Sequence, residues 1–120
     1  MELNEYQKQA MTTCMQSSNN FSYMMTNLVG EVGEFSSKVA KGIRKGIFHI
    51  NGNELFVDDD TPEARDFAME LLLELGDVLW QTAGLCHVMK VGLGTIAELN
   101  LAKLASRKER GVIDGNGDNR

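Results

Sequence analysis

Apolar residues recur along this chain at helical spacing, with one interruption. Over residues 2–18, Leu3, Tyr6, Ala10 and Cys14 fall three or four positions apart, the spacing of one helix face. Phe21, Met25, Leu28, Val32, Phe35 and Val39 then step by four, three, four, three and four. That stripe predicts a second helix of about 25 residues, roughly 37 Å long. The pattern breaks at Gly46, where residues 47–50 and 54–57 form two short β-favouring runs around Asn51-Gly52-Asn53. Such runs about an Asn-Gly turn predict a β-hairpin over residues 47–57.

Asp58-Asp59-Asp60-Thr61-Pro62-Glu63 supplies a capping side chain, a proline for the first turn and early acids, so a third helix starts there. It runs to about Met89, with Phe67, Leu71, Leu75, Val78, Leu79, Leu85 and Met89 as its core stripe. Gly92 and Gly94 end it. Thr95-Ile96-Ala97-Glu98 has the form of a capping box and predicts a fourth helix carrying Ile96, Leu99, Ala102 and Leu104 up to Gly111. The expected fold is all-α, an antiparallel four-helix bundle with a hairpin insertion at residues 46–61 between the second and third helices. Residues 1–111 make the domain and 112–120 a flexible tail.

Composition narrows the class. The chain has 120 residues, 42% of them hydrophobic and 24% charged, the size of one domain and too apolar for a disordered segment. No apolar run approaches the roughly 18 residues of a membrane span, and the acidic start lacks the apolar stretch of a signal peptide. Cys14 and Cys86 sit inside apolar patterns, as small core residues of a reduced, cytoplasmic protein would. Twelve basic against seventeen acidic residues give a formal charge of −5, which does not suit a binder of bulk nucleic acid. Residues 53–77 hold nine acids against one base, whereas residues 100–120 carry five bases against three acids. A solvated acidic face and a frayed basic end account for this distribution, and so would a site for a metal and an anion.

Two glycine-centred acid pairs are the candidate chemistry. Glu31-Val32-Gly33-Glu34 lies in the second helix and Glu74-Leu75-Gly76-Asp77 in the third, each placing two carboxylates three positions apart on one face. Packed antiparallel, the two helices would gather four carboxylates, whose mutual repulsion a hard divalent cation relieves. The donors are all oxygens, which favours Mg²⁺, with Mn²⁺ as a substitute. No Glu-x-x-His pair of the di-iron kind occurs, and His49 and His87 are expected to be ordinary histidines. Gly33 and Gly76 each cost about 1 kcal/mol in a helix interior, which close helix approach or room for a ligand would offset.

These residues resemble the MazG-like nucleoside triphosphate pyrophosphohydrolases of the all-α type. The family's Glu-x-x-Glu followed by Glu-x-x-Asp is matched by Glu31/Glu34 and Glu74/Asp77, within the longer blocks at residues 28–34 and 74–80. Tyr6, Gln7, Ala10 and Thr13 are similar to its first helix. Asn100 to Lys103, Arg107, Arg110-Gly111 and Gly117 to Arg120 resemble its C-terminal block. One departure is the 39-residue separation of Glu34 from Glu74, longer than is usual in the family, with the excess at the hairpin.

The resemblance implies hydrolysis of a nucleoside or deoxynucleoside triphosphate to the monophosphate and pyrophosphate, with Mg²⁺ held by Glu31, Glu34, Glu74 and Asp77. It assigns Lys103, Arg107 and Arg110, with Asn100 and Arg120, to the substrate, and it implies a homodimer or homotetramer. Lys38, one turn after Glu34, either reaches a phosphate or pairs with Glu34. Asn27 either lines the pocket toward the base or lies on the surface, Trp80 either stacks on a base or packs in the core, and Glu70 is either an outer acid or a solvated one. Two rival functions are a dimeric dUTPase-like enzyme selective for uracil and a non-catalytic bundle that binds a partner. Pyrophosphate release from a nucleotide panel separates them.

Overall fold

The structure is a computed structural model that describes residues 1–58 and 60–120; Asp59, within the expected start of the third helix, lies outside the described residues. In chain order the elements are α1 (Leu3–Met11), a 3-10 turn (Gln16–Ser18), α2 (Phe21–Arg44), β1 (Phe48–Asn51), β2 (Glu54–Val57), α3 (Pro62–Val88) and α4 (Leu93–Glu109). The four helices and the two-stranded insertion between α2 and α3 are the expected set.

Local chemistry explains most boundaries. Asn20 Oδ1 accepts the Tyr23 amide at 2.8 Å to open α2, and Thr61 Oγ1 accepts the Ala64 amide at 3.1 Å to open α3 beside Pro62. Gly46, at φ 74°, stops α2. The hairpin pairs Phe48 with Val57, His49 with Phe56, Ile50 with Leu55 and Asn51 with Glu54, and Gly52 turns it at φ 60°.

Two boundaries differ from expectation. The first helix ends at Met11, leaving Cys14 in the turn beyond it, because the hydroxyls of Thr12 and Thr13 bond back to the carbonyls of Gln9 and Ala10 at 2.6 and 2.7 Å. The fourth helix starts at Leu93 with Gly92 as its cap, so the Thr95 capping box is not what opens it. Instead α1 caps it from a distance. Gln7 Oε1 accepts the Leu93 amide at 2.8 Å and Asn4 Oδ1 accepts the Gly94 amide at 2.9 Å, satisfying first-turn donors that would otherwise be orphaned.

Two apolar clusters hold the ends of the α2–α3 pair. Phe48, Phe67 and Leu71 are buried at the hairpin end, with Phe35, Val39, Ile47 and Ala68 against them, and the Phe48 and Phe67 rings meet edge to face at 5.4 Å. Gly42 is what admits Phe48, since a Cβ there would lie 2.1 Å from the ring. At the other end Ala83, Cys86 and Leu93 are buried with Tyr6, Met11 and Val91 around them.

Between these ends the apolar stripes are only half used. Met24 is fully buried, yet Phe21, Met25 and Val32 of α2, Leu75 and Leu79 of α3 and Met89 just beyond α3 are exposed. Within α4 only Leu93 and Arg107 are buried. The accessible surface is 8601 Å², against about 6,450 Å² expected for a folded monomer of 13.3 kDa. The chain therefore shows roughly 2,000 Å² more surface than a self-sufficient globule of its mass. No helix among the described residues is long and apolar enough to cross a membrane.

Candidate active site

The α2–α3 seam is antiparallel: Asn27 meets Gln81, Glu31 meets Glu74 and Asp77, and Lys38 meets Glu70. The middle contact brings one carboxylate oxygen each from Glu31, Glu74 and Asp77 to within 4.8 Å of one another. Glu31 and Glu74 are half-buried and Asp77 is exposed. Glu34 lies outside this group of three and is exposed, close enough for its charge to act on Glu31.

Glu31 is the most constrained of the acids. Burial lifts its carboxyl above the usual range, and the charges of Glu34, Asp77 and Glu74 push the same way, against a hydrogen bond from Asn27. Asn27 Nδ2 donates to Glu31 Oε1 and to Gln81 Oε1, each at 2.9 Å. Gln81, fully buried, donates its own Nε2 to the Met24 carbonyl at 3.1 Å. A buried amide thus orients Asn27, which in turn orients Glu31. Gln81 was not evident from the acid motif. Its signal is a polar side chain one turn after Asp77 and two residues before the pair Ala83 and Gly84, whose small size lets α2 approach; a Cβ on Gly84 would lie 2.5 Å from Met24 Sδ.

The glycines inside the two motifs have another role. A Cβ at Gly33 or Gly76 would meet nothing within 4 Å, so neither serves close helix packing within the chain, and both leave open space beside the acids. The geometry suits a hard divalent ion. A six-coordinate Mg²⁺ with ligands at about 2.0–2.1 Å separates its donor oxygens by at most about 4.2 Å, so small side-chain rotations would bring the three carboxylates onto one ion.

The remaining candidates are distributed along the seam and on α4. Trp80 Nε1 donates to the Ala10 carbonyl at 3.1 Å and to Thr13 Oγ1 at 2.9 Å, which pins the indole to the end of α1. Tyr6 shares that side, its phenol raised by burial and then by the Asp77 charge. Lys38 does not pair with Glu34. It crosses the seam to Glu70 and sits 4.4 Å above the Phe67 ring, and its hydrogen bond holds Glu70 below the usual carboxyl range. Glu70 is therefore an ion-pair partner. His49 stacks on Phe56 in the hairpin and His87 is exposed at the end of α3, neither in the carboxylate group.

Asn100 and Lys103 are exposed on α4, as is Arg110 at its C-terminal cap, and Arg107 is buried. The tail folds back onto them. Arg107 Nη2 donates to Asp118 Oδ1 at 3.0 Å and to the Gly117 and Asp118 carbonyls at 3.4 and 3.3 Å, while Lys103 lies 3.5 Å from Asp118. Arg107 Nε is buried without a partner among the described residues. Arg110 donates to the Arg120 carbonyl at 2.6 Å, and Arg120 donates to the carbonyls of Val112, Ile113 and Gly117. Residues 112–120 are thus tied to α4 in the described structure, and Asp118 is the acid that sequence reasoning passed over.

A family model for the MazG nucleotide pyrophosphohydrolase domain matches residues 19–112. The chain is also 44% identical over 107 residues to the Gene 37 protein of Mycobacterium phage L5, an alignment covering 87% of this chain and 80% of that protein. No solved structure matches.

Proposed function

Because the chain belongs to the MazG nucleotide pyrophosphohydrolase family, we propose that it hydrolyses nucleoside or deoxynucleoside triphosphates to the monophosphate and pyrophosphate in a Mg²⁺-dependent reaction. The observation that carries this reading is the meeting of Glu31, Glu74 and Asp77 from two helices, with oxygens within 4.8 Å. These three would hold the ion, and Glu34, exposed beside them, would join after a change of rotamer. Bound Mg²⁺ (or Mn²⁺) would offset the triphosphate charge and supply a water acidic enough to attack phosphorus at neutral pH.

The protein's own contribution is placement. Asn27 occupies one Glu31 oxygen, which leaves the other for an ion or a water, and buried Gln81 prevents Asn27 from turning away. A carboxylate of the group orients the attacking water and accepts its proton. Asn27 and Trp80 lie at the end of the site proposed to face the nucleoside, with Lys38 on the phosphates. Lys103, Arg107, Arg110 and Arg120, with Asn100, are the cations and amide proposed to close over the substrate from α4 and the tail. A phosphate there would replace the Asp118 carboxylate on Lys103 and Arg107, one anion for another.

Domain limits of 1–111, with the tail as a closing segment, follow from the same reading, as does a homodimer or homotetramer. The surplus of roughly 2,000 Å² of surface supports assembly, since stable interfaces bury about 1,200–2,000 Å² or more. The test is product analysis on a panel of NTPs and dNTPs with Mg²⁺ and with EDTA. Monophosphate plus pyrophosphate, lost with EDTA and restored by Mg²⁺ or Mn²⁺, is expected. Diphosphate plus orthophosphate would contradict it, and turnover confined to dUTP would narrow it to a uracil-selective enzyme.

A further inference from the structure

We propose that the cleft on the α2–α3 seam beside the carboxylates, where Lys38, Lys41 and Lys45 face Phe67 and Glu70, is the subsite for the pyrophosphate half of the substrate. This rests on the pyrophosphohydrolase reading above and adds the direction in which the triphosphate lies. The cleft has a volume of about 550 Å³ and is lined by Lys38 and Lys41 of α2, by Lys45 just beyond its end, and by Glu63, Asp66, Phe67 and Glu70 of α3. It is contiguous with the carboxylate group on both helices. Lys38 follows Glu34 by one turn on α2, and Glu70 precedes Glu74 by one turn on α3. Phosphates extending from the carboxylates toward the hairpin end therefore enter the cleft within about 5–6 Å, the rise of one helical turn.

The two directions along the seam differ in chemistry. Toward α1 the neighbours of the acids are Asn27, Gln81 and Trp80, which offer amides and an aromatic ring and no cation. Toward the hairpin, α2 and the residue that caps it carry Lys38, Lys41 and Lys45. Lys38 is already stripped of most of its water, its side chain only 16% exposed, whereas its partner Glu70 is 53% exposed and free to swing outward. A phosphate oxygen can take the place of the Glu70 carboxylate on Lys38 without leaving that buried ammonium unpaired. Lys41 and Lys45 both act on the Glu70 carboxyl across the cleft, so they stand where the incoming oxygens would be, and Lys45 also lies 5.5 Å over the Phe67 ring.

The acids of the cleft decide which form of the ligand fits. Glu63, Asp66 and Glu70 balance the three lysines, so the cleft has no net charge of its own. Free pyrophosphate would meet three carboxylates, whereas magnesium pyrophosphate, partly neutralised, meets lysines and carboxylates that both suit it. A neutral cleft also releases product more readily than a wholly basic one.

The test is calorimetric titration of the full-length protein with magnesium pyrophosphate and, separately, with a nucleoside monophosphate. Lys41→Gln/Lys45→Gln is expected to weaken magnesium pyrophosphate by at least about tenfold and to leave the monophosphate within about twofold. Lys41→Arg/Lys45→Arg should retain tight binding. Lys8→Gln/Lys90→Gln, a charge-matched pair lining a different cavity, should change neither. Lys41 and Lys45 are both exposed, so the variants keep their fold, and far-UV circular dichroism verifies it. Unchanged pyrophosphate affinity, an equal loss for both ligands, or no pyrophosphate binding by the wild type overturns the subsite. Release of pyrophosphate from triphosphates by the wild type is measured independently, so a failed subsite and a failed hydrolysis reading give different results.

Discussion

The two ends of the α2–α3 pair and the stretch between them are built on different terms. At the ends, Phe48 with Phe67 and Leu71, and Ala83 with Cys86 and Leu93, bury apolar side chains against one another within one chain. In the middle, the inner face carries Asn27, Glu31, Glu74, Asp77 and Gln81, while Val29, Leu72, Leu73, Leu75 and Leu79 stay exposed. The ends account for the stability of the fold. The middle gathers carboxylates on one face and leaves apolar side chains uncovered on the other. That difference separates substitutions that unfold the protein from those that silence it.

The sharpest way to break the comparison is at the hairpin end. Phe48→Ala should cost about 3–5 kcal/mol, the range for deleting a buried Phe, read as a loss of denaturant midpoint; a cost below about 1 kcal/mol would mean the hairpin is not part of the core. At the other end, Gly84→Ala places a methyl 2.5 Å from Met24 Sδ and should cost about 1–3 kcal/mol through overpacking. Because Met24 supports Gln81, this change should also lower turnover.

The middle should behave in the opposite sense. Burial and three neighbouring acids raise the Glu31 carboxyl, so in the ion-free protein its charged form opposes folding at neutral pH. The native state takes up this proton more readily than the unfolded chain. Stability should therefore rise as pH falls from neutral through the region just above the ordinary Glu range. Glu31→Gln should remove that slope and hold or gain stability by less than about 1 kcal/mol, while abolishing turnover. Thermal melts from pH 7 to 5 with EDTA present check both halves.

Much of this was legible in the sequence, and the misses have physical causes. The step pattern from Phe21 to Val39, the Asn51-Gly52 turn and Thr61-Pro62 correctly marked α2, the hairpin and the start of α3. Local signals sufficed because each acts within a few residues. The start of α4 was misplaced because its amides are capped by Asn4 and Gln7, roughly ninety residues away, which no local motif records. Periodicity also marked Val32, Leu75 and Leu79 as core, since it reports that a face is apolar and not what covers it. The two acid pairs were readable as carboxylates on facing helices, three of which the structure brings together, but the amides behind Glu31 and the Lys38–Glu70 pair depend on which helices meet.

The smallest expected effect concerns the tail. Asp118 is held below the usual carboxyl range chiefly by its hydrogen bond from Arg107, with Lys103 adding to it. Its contribution to holding the tail is present above the ordinary Asp range and is lost only as pH falls through the depressed value. Because the carboxylate is exposed, Asp118→Asn should change the melting temperature little. Amide exchange at residues 117–120 should nevertheless speed up; unchanged exchange would show that backbone contacts alone hold the tail.

The most direct test of the central account, that Glu31, Glu74 and Asp77 act as one metal-dependent unit, is a double-mutant cycle on pyrophosphate release. Rates would be measured at saturating Mg²⁺ for Glu31→Gln, Asp77→Asn and the pair. Members of one unit are non-additive, so each single change should remove nearly all turnover and the pair little more, with all three proteins melting at or above the wild-type temperature under EDTA. Mild single losses that multiply in the double variant would contradict a shared site.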